Sequence, residues 1–260
     1  MSVERWSFED EMMVRRVGVG PEIVWIHGLG EWSVSFDAIA HRAALAGYTH
    51  VLPDLPGYGR SPWASLDSTR DSLEVLADRL AAWLERRTPP VLVGHSMGGV
   101  LATYVAERIP VAGLVNVDGN LSRGDCTFSA QAVAYPLDEF VTHGFAAMRA
   151  EVYARGATVP ALRGYHAAMC AANPRAFHRH ATDLVRVSET ETLAGRLAAL
   201  AAPSLFVAGV PDGVCAASRE LLARHRVRWA GIEPAGHWVH VDQPDSFCTH
   251  LRDLLRLATH

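Results

Sequence analysis

The sequence predicts an α/β fold, a mostly parallel sheet with helices on both faces and an inserted helical segment. Short, continuously apolar runs alternate with helical patterns over residues 22–119, as strands covered on both faces of a parallel sheet do. Between about 120 and 200 the rhythm breaks into Arg-, His- and Ala-rich helical patterns with scattered aromatics and no convincing strand. From 203 onward the alternation resumes. Such alternation implies right-handed strand–helix–strand units. Residues 1–119 and 199–260 are therefore read as one core, with 120–198 as a helical cap-like insertion.

Taken in order, "EIVWIHG" (22–28), "THVLPD" (49–54), "PVLVGHS" (90–96) and "VAGLVNVDG" (111–119) read as strands. Between them, "TRDSLEVLADRLAAWLERR" (69–87) places Leu73, Leu76, Leu80, Trp83 and Leu84 on one helical stripe with polar residues opposite. "MGGVLATYVAERI" (97–109) is apolar nearly all round, which suits a helix packed on a sheet. After the insertion come a strand in "PSLFVAGVPDG" (203–213), a helix near 215–225 and a strand in "RVRWAGI" (226–232). A last helix, 244–258, sets Phe247, Leu251, Leu254 and Leu255 on one face.

Bulk chemistry narrows the function classes. The 260 residues are 49% apolar and 20% charged, an ordinary globular balance. A net charge of −4 with no basic cluster argues against nucleic acid or an anionic membrane as partner. All 24 basic residues are Arg, which excludes a lysine nucleophile or Schiff base. "MSVERWSFED" lacks the apolar run of a signal peptide, and no segment is long enough to span a bilayer. Cys126, Cys170, Cys215 and Cys248 are widely spaced, and no HExxH or zinc-type spacing occurs. A cytoplasmic protein with free thiols, no metal and no cofactor is expected; oligomeric state is left open.

The chemistry concentrates at "VLVGHSMGGV" (91–100), where a strand gives way to a helix through Gly94-His95-Ser96-Met97-Gly98. A sharp strand-to-helix turn that exposes a serine needs small residues two positions either side, and Gly94 and Gly98 supply them. The helix that follows aims its first amides at developing negative charge. A serine hydroxyl is a weak nucleophile, so a base and an orienting acid must lie elsewhere in the chain. "WIHGLGEW" (25–32) follows an early strand, "DLPGYGRS" (54–61) follows the next, and "EPAGHWVHVDQPDSF" (233–247) follows the last.

With these four motifs in this order, the chain resembles the α/β-hydrolase family, of the serine esterase, lactonase and thioesterase type with a helical cap. The resemblance runs from the strand before His27 to the last helix and implies the following roles. Ser96 is the nucleophile and His237 the base, with His240 the weaker candidate. Asp212, in the Gly-x-x-Asp of "LFVAGVPDG", is the first choice of acid, and Asp118, after the preceding strand, is the alternative. The amides of Met97 and Leu29 form the oxyanion hole, and His27, Gly28, His95 and Trp238 line the substrate pocket. The loop 54–61 is scaffold.

Ser96 stands where dehalogenases and epoxide hydrolases of this fold carry Asp, so the resemblance implies an acyl-enzyme formed on a small-molecule ester, lactone or thioester. Acyl transfer or cyclisation, C–C bond hydrolysis on the same triad, and a ligand receptor retaining the triad are the other readings the motifs allow. No motif in the insertion identifies a substrate.

Overall fold

The structure is a computed structural model and describes residues 4–63 and 72–258. Eight strands form one sheet: β1 (Glu4–Glu9), β2 (Met12–Gly18), β3 (Glu22–Ile26), β4 (Thr49–Asp54), β5 (Val91–His95), β6 (Gly113–Val117), β7 (Ser204–Asp212) and β8 (Trp229–Gly236). Their spatial order is β1-β2-β4-β3-β5-β6-β7-β8. β1 and β2 pair antiparallel with each other and β2 antiparallel with β4, and the remaining pairs are parallel. The six strands read from the sequence are β3 to β8.

The hairpin β1–β2 is an addition to the expected fold. Asp10 and Glu11, its two-residue connection, both have positive φ, the backbone of a primed hairpin turn whose twist matches the strands it joins. β1 is the edge strand of the sheet, so it is largely exposed and carries little of the apolar signal that marks β3–β6.

The central strands divide their side chains by period two. Val24, Ile26, Leu92 and Leu114 join the core on one face, and Ile23, Trp25, Val91, Val93, Val115 and Val117 the core on the other. On the first face lie α1 (Leu73–Leu84) and α2 (Met97–Ala106). α1 starts at Ser72, whose hydroxyl accepts the Val75 N–H and so satisfies one unpaired amide of the first turn. Residues 69–71, with which the expected helix begins, lie outside the described residues.

Between β6 and β7 every regular element is helical. The larger ones are α3 (Thr127–Val133), α4 (Phe145–Arg155), α5 (Pro160–Met169), α6 (Pro174–Glu189) and α7 (Leu193–Ala198). Pro160 and Pro174 occupy the first helical positions, where the missing N–H costs nothing, and Asn173 caps α6 through the Arg175 and Ala176 amides. Phe140, Met148, Leu162, Tyr165 and Phe177 from this segment belong to the same buried cluster as Val24 and Leu92, so it packs continuously onto one sheet face. α8 (Ala216–Arg224) and α9 (Pro244–Ala258) complete the chain. No helix among the described residues is long and apolar enough to cross a membrane.

Candidate active site

Five strand ends converge above the sheet. β3 delivers His27 to Glu31, β5 delivers Ser96, β6 delivers Asp118 and Asn120, β7 runs out at Asp212, and β8 delivers His237 and Trp238. In open α/β sheets the carboxyl ends of the strands are where ligands bind.

Ser96 has φ 54° and ψ −122°, a region closed to L-residues without strain. The strain is held by its surroundings: its N–H donates to the Val117 carbonyl at 2.9 Å, and its own carbonyl accepts the Gly99 N–H at 2.8 Å. The flanking glycines are required by close approach. A Cβ on Gly94 would strike the Gly98 carbonyl oxygen, and one on Gly98 would strike the carbonyl oxygen of Ile26. The strand and helix therefore meet more closely than any larger residue permits.

Ser96 and His237 line one cavity, together with Gly28, Leu29, Glu31, His95, Trp238 and residues of the helical segment. Met97 is the first residue of α2 and Leu29 follows the β3 loop. Among the described residues neither of their amides donates to a protein acceptor.

The carboxylate beside His237 is Asp118: its Oδ2 lies 3.5 Å from His237 Nδ1, and no hydrogen bond from elsewhere in the protein serves that oxygen. Oδ1 accepts the Val214 N–H at 3.0 Å. Burial pushes the Asp118 carboxyl above its ordinary value, opposed by the His237 ring and the Val214 amide. Asp212 departs from the expectation drawn from its motif. β7 does not stop before it but continues through Asp212, which pairs with Gly236, and its side chain is exposed to solvent. The segment "GVPDGV" instead supports Asp118. Val214 supplies the amide, and Gly213 leaves room for the carboxylate, whose Oδ2 would sit 2.6 Å from any Cβ there.

Beneath the cavity is a polar cluster that the motifs did not announce. Glu31, 1% exposed, accepts from the Gly28 N–H at 2.8 Å and from Trp238 Nε1 at 2.5 Å, and its Oε2 lies 2.9 Å from His95 Nδ1. His95 Nε2 in turn sits 2.9 Å from the carbonyl oxygen of His237. Both neighbours of His95 are acceptors, so the ring carries two N–H donors. Against the desolvation that burial imposes, the Glu31 carboxylate raises the His95 pKa, and His95 holds Glu31 well below the usual carboxylate range. The sequence did carry a signal here: an acid inside the glycine-rich "HGLGEW" has no solvent-facing helix to sit on.

His27, expected in the substrate pocket, lies outside the cavity lining. It is fully buried, its Nδ1 meets the Gly28 carbonyl at 2.9 Å, and its Nε2 accepts the Leu55 N–H at 2.9 Å. Burial lowers its pKa, so both ring nitrogens hold backbone and none is left for substrate. His240, the weaker candidate for base, is buried against Phe36, Phe247 and His95 and is absent from the cavity wall. Asp54, in the loop read as scaffold, accepts the Ser33 and Arg60 amides.

Residues 23–249 match the model of the alpha/beta hydrolase family. The chain belongs to that family. Among curated relatives, a lipase of Mycobacterium tuberculosis is 36% identical over 115 residues, 42% of this chain and 41% of that protein. A pimeloyl-[acyl-carrier protein] methyl ester esterase of Chromobacterium violaceum is 35% identical over 99 residues, 38% of this chain and 36% of its own length. The matched stretch thus spans about two fifths of these relatives. Among solved structures, an enol-lactonase from Burkholderia xenovorans superposes with a TM-score of 0.76 at 17% identity, over 97% of this chain and 100% of that one. A putative aryl esterase from Burkholderia cenocepacia gives 0.73 at 24%, over 100% and 99%. These likenesses are in fold.

Proposed function

We propose that this α/β-hydrolase cleaves a carboxylic ester, lactone or thioester by way of an acyl-enzyme on Ser96. The observation that carries the reading is the placement of Asp118 Oδ2 3.5 Å from His237 Nδ1 at a cavity that His237 shares with the strained Ser96. Curated relatives named as a lipase and a methyl ester esterase support the ester linkage.

In this reading Asp118 fixes the His237 tautomer with the proton on Nδ1, leaving Nε2 to take the Ser96 proton. Ser96 Oγ attacks the carbonyl carbon, and the oxyanion is held by the Met97 and Leu29 amides. His237 returns the proton to the leaving oxygen or sulfur as the acyl bond breaks. Water, deprotonated by His237, then attacks the acyl-enzyme and releases the acid and free Ser96. The helices between β6 and β7 act as a cap: Phe128, Tyr165 and Leu184 wall the cavity. Four unpaired cysteines support a reducing, cytoplasmic setting.

Ser96→Ala tests the reading on a panel of short acyl esters, lactones and thioesters. Loss of turnover by at least about 10³-fold on any substrate the wild type accepts is expected. Undiminished hydrolysis contradicts it.

A further inference from the structure

The cavity above Ser96 is small and polar in a way that an alkyl chain does not explain. Its free space is small, about 20 Å³ for water centres. Asn120, Tyr165 and Ser129 stand on its wall, and among the described residues the buried Asn120 Oδ1 has no hydrogen-bond partner. Asn120 is 3% exposed and its Oδ1 is orphaned. A buried acceptor left unpaired costs about 1–3 kcal/mol, so a fold retains one where a ligand satisfies it.

The orientation of that amide follows from its neighbour. Cys126 Sγ lies 4.0 Å from the Ser122 carbonyl oxygen, an acceptor that takes the thiol proton. The sulfur is left as acceptor for Asn120 Nδ2 at 3.7 Å, so the amide oxygen is the free end. Across the cavity, burial holds the Tyr165 phenol neutral, and its hydroxyl is a donor beside the Gly28–Gly30 loop. An acceptor and two hydroxyls are matched by a group that both donates and accepts.

We propose that this cavity is an acyl site for a two- or three-carbon hydroxyacyl group, its hydroxyl donating to Asn120 Oδ1 and accepting from Tyr165 or Ser129. The proposal rests on the ester-cleaving reading above. An amine in place of the hydroxyl is disfavoured, because of the two carboxylates on the wall Glu31 is paired with His95 and Asp125 already accepts from the Leu121, Ser122 and Cys215 amides and the Ser218 hydroxyl. The leaving group takes the other side of His237, which must protonate it. There a groove of about 550 Å³ opens, lined by Phe128, Arg155, Asp212, His237 and Trp238.

Isosteric pairs test this: methyl glycolate against methyl propionate, and methyl lactate against methyl isobutyrate, each rate divided by its hydroxide-catalysed rate. The hydroxy ester of each pair is expected to be preferred by about 10–100-fold in kcat/KM. In Asn120→Leu, and separately in Ser129→Ala, that ratio is expected to fall at least several-fold. Equal corrected rates within each pair overturn the acyl site and leave the hydrolase reading standing. No turnover of any of the four, with Ser96 unlabelled by a fluorophosphonate, overturns both.

Discussion

Glu31 and His95 form an ion pair removed from solvent, 2.9 Å from Oε2 to Nδ1, one residue from Ser96. Through its other nitrogen His95 holds the carbonyl of His237, so the pair ties the β3 loop, the β5 turn and the β8 loop together. Charge buried this way stabilises only while both partners keep it. Removing one leaves the other unpaired, at a cost of about 3–5 kcal/mol.

Glu31→Gln should therefore lower stability and also kcat, by about 10–100-fold with little change in KM, because the clamp on the His237 backbone is weakened. The pH dependence separates a charge effect from simple packing. His95 has a raised folded pKa, so its contribution is complete below about 6.5 and is lost as pH rises through the raised value. Glu31 has a lowered one, so its contribution is complete above about 4.3 and lost as pH falls further. The Tm deficit of Glu31→Gln relative to wild type should be greatest between about pH 4.3 and 6.5 and shrink on the alkaline side. A deficit independent of pH from 5 to 10 contradicts the ion pair.

His180 acts in the opposite sense. It is buried with its Nδ1 2.8 Å from the Tyr58 hydroxyl, and burial lowers its pKa to about 4. Below about pH 6.5 the unfolded chain binds a proton there that the folded chain refuses, so stability falls with pH by about 1.4 kcal/mol per unit until about pH 4. Chemical denaturation of His180→Gln at pH 6.5 and 4.5 should show a shallower loss than wild type. An identical slope contradicts the assignment of a buried neutral ring.

Gly213→Ala probes the proposed role of Asp118 without replacing it. The added Cβ would stand 2.5 Å from the Gly209 carbonyl oxygen, 2.6 Å from Asp118 Oδ2 and 2.7 Å from Oδ1, so the loop and the carboxylate must shift and Asp118 moves relative to His237. A fall in kcat of about 10–100-fold is expected while the fold is retained by circular dichroism. Wild-type kcat in this variant would show that the Asp118 position is not critical.

The central strands and the elbow were legible because both are local. A run buried on two faces is apolar throughout, and a turn that brings Gly94 against Gly98 admits nothing larger. Which carboxylate lies beside His237 was not legible, because two carboxylates follow adjacent parallel strands and only strand length decides between them. β6 ends at Val117 and releases Asp118, whereas β7 carries Asp212 on as a paired residue. The contacts of Glu31 and Asn120 depend on partners 64 and 6 residues away, set by sheet order and loop path rather than by spacing. β1 was missed because an exposed edge strand has little hydrophobic signature, and β2 because Arg15 and Arg16 interrupt its short apolar run.

The most direct test compares Asp118→Asn with Asp212→Asn on one ester that the wild type hydrolyses. Amide replacement preserves shape but leaves His237 without an anion on Nδ1, a change worth about 10⁴ in kcat in the serine-protease triad. The account expects Asp118→Asn to lose about 10³–10⁴-fold in kcat and Asp212→Asn to stay within about threefold of wild type. The reverse result, with Asp118→Asn active and Asp212→Asn silent, contradicts it.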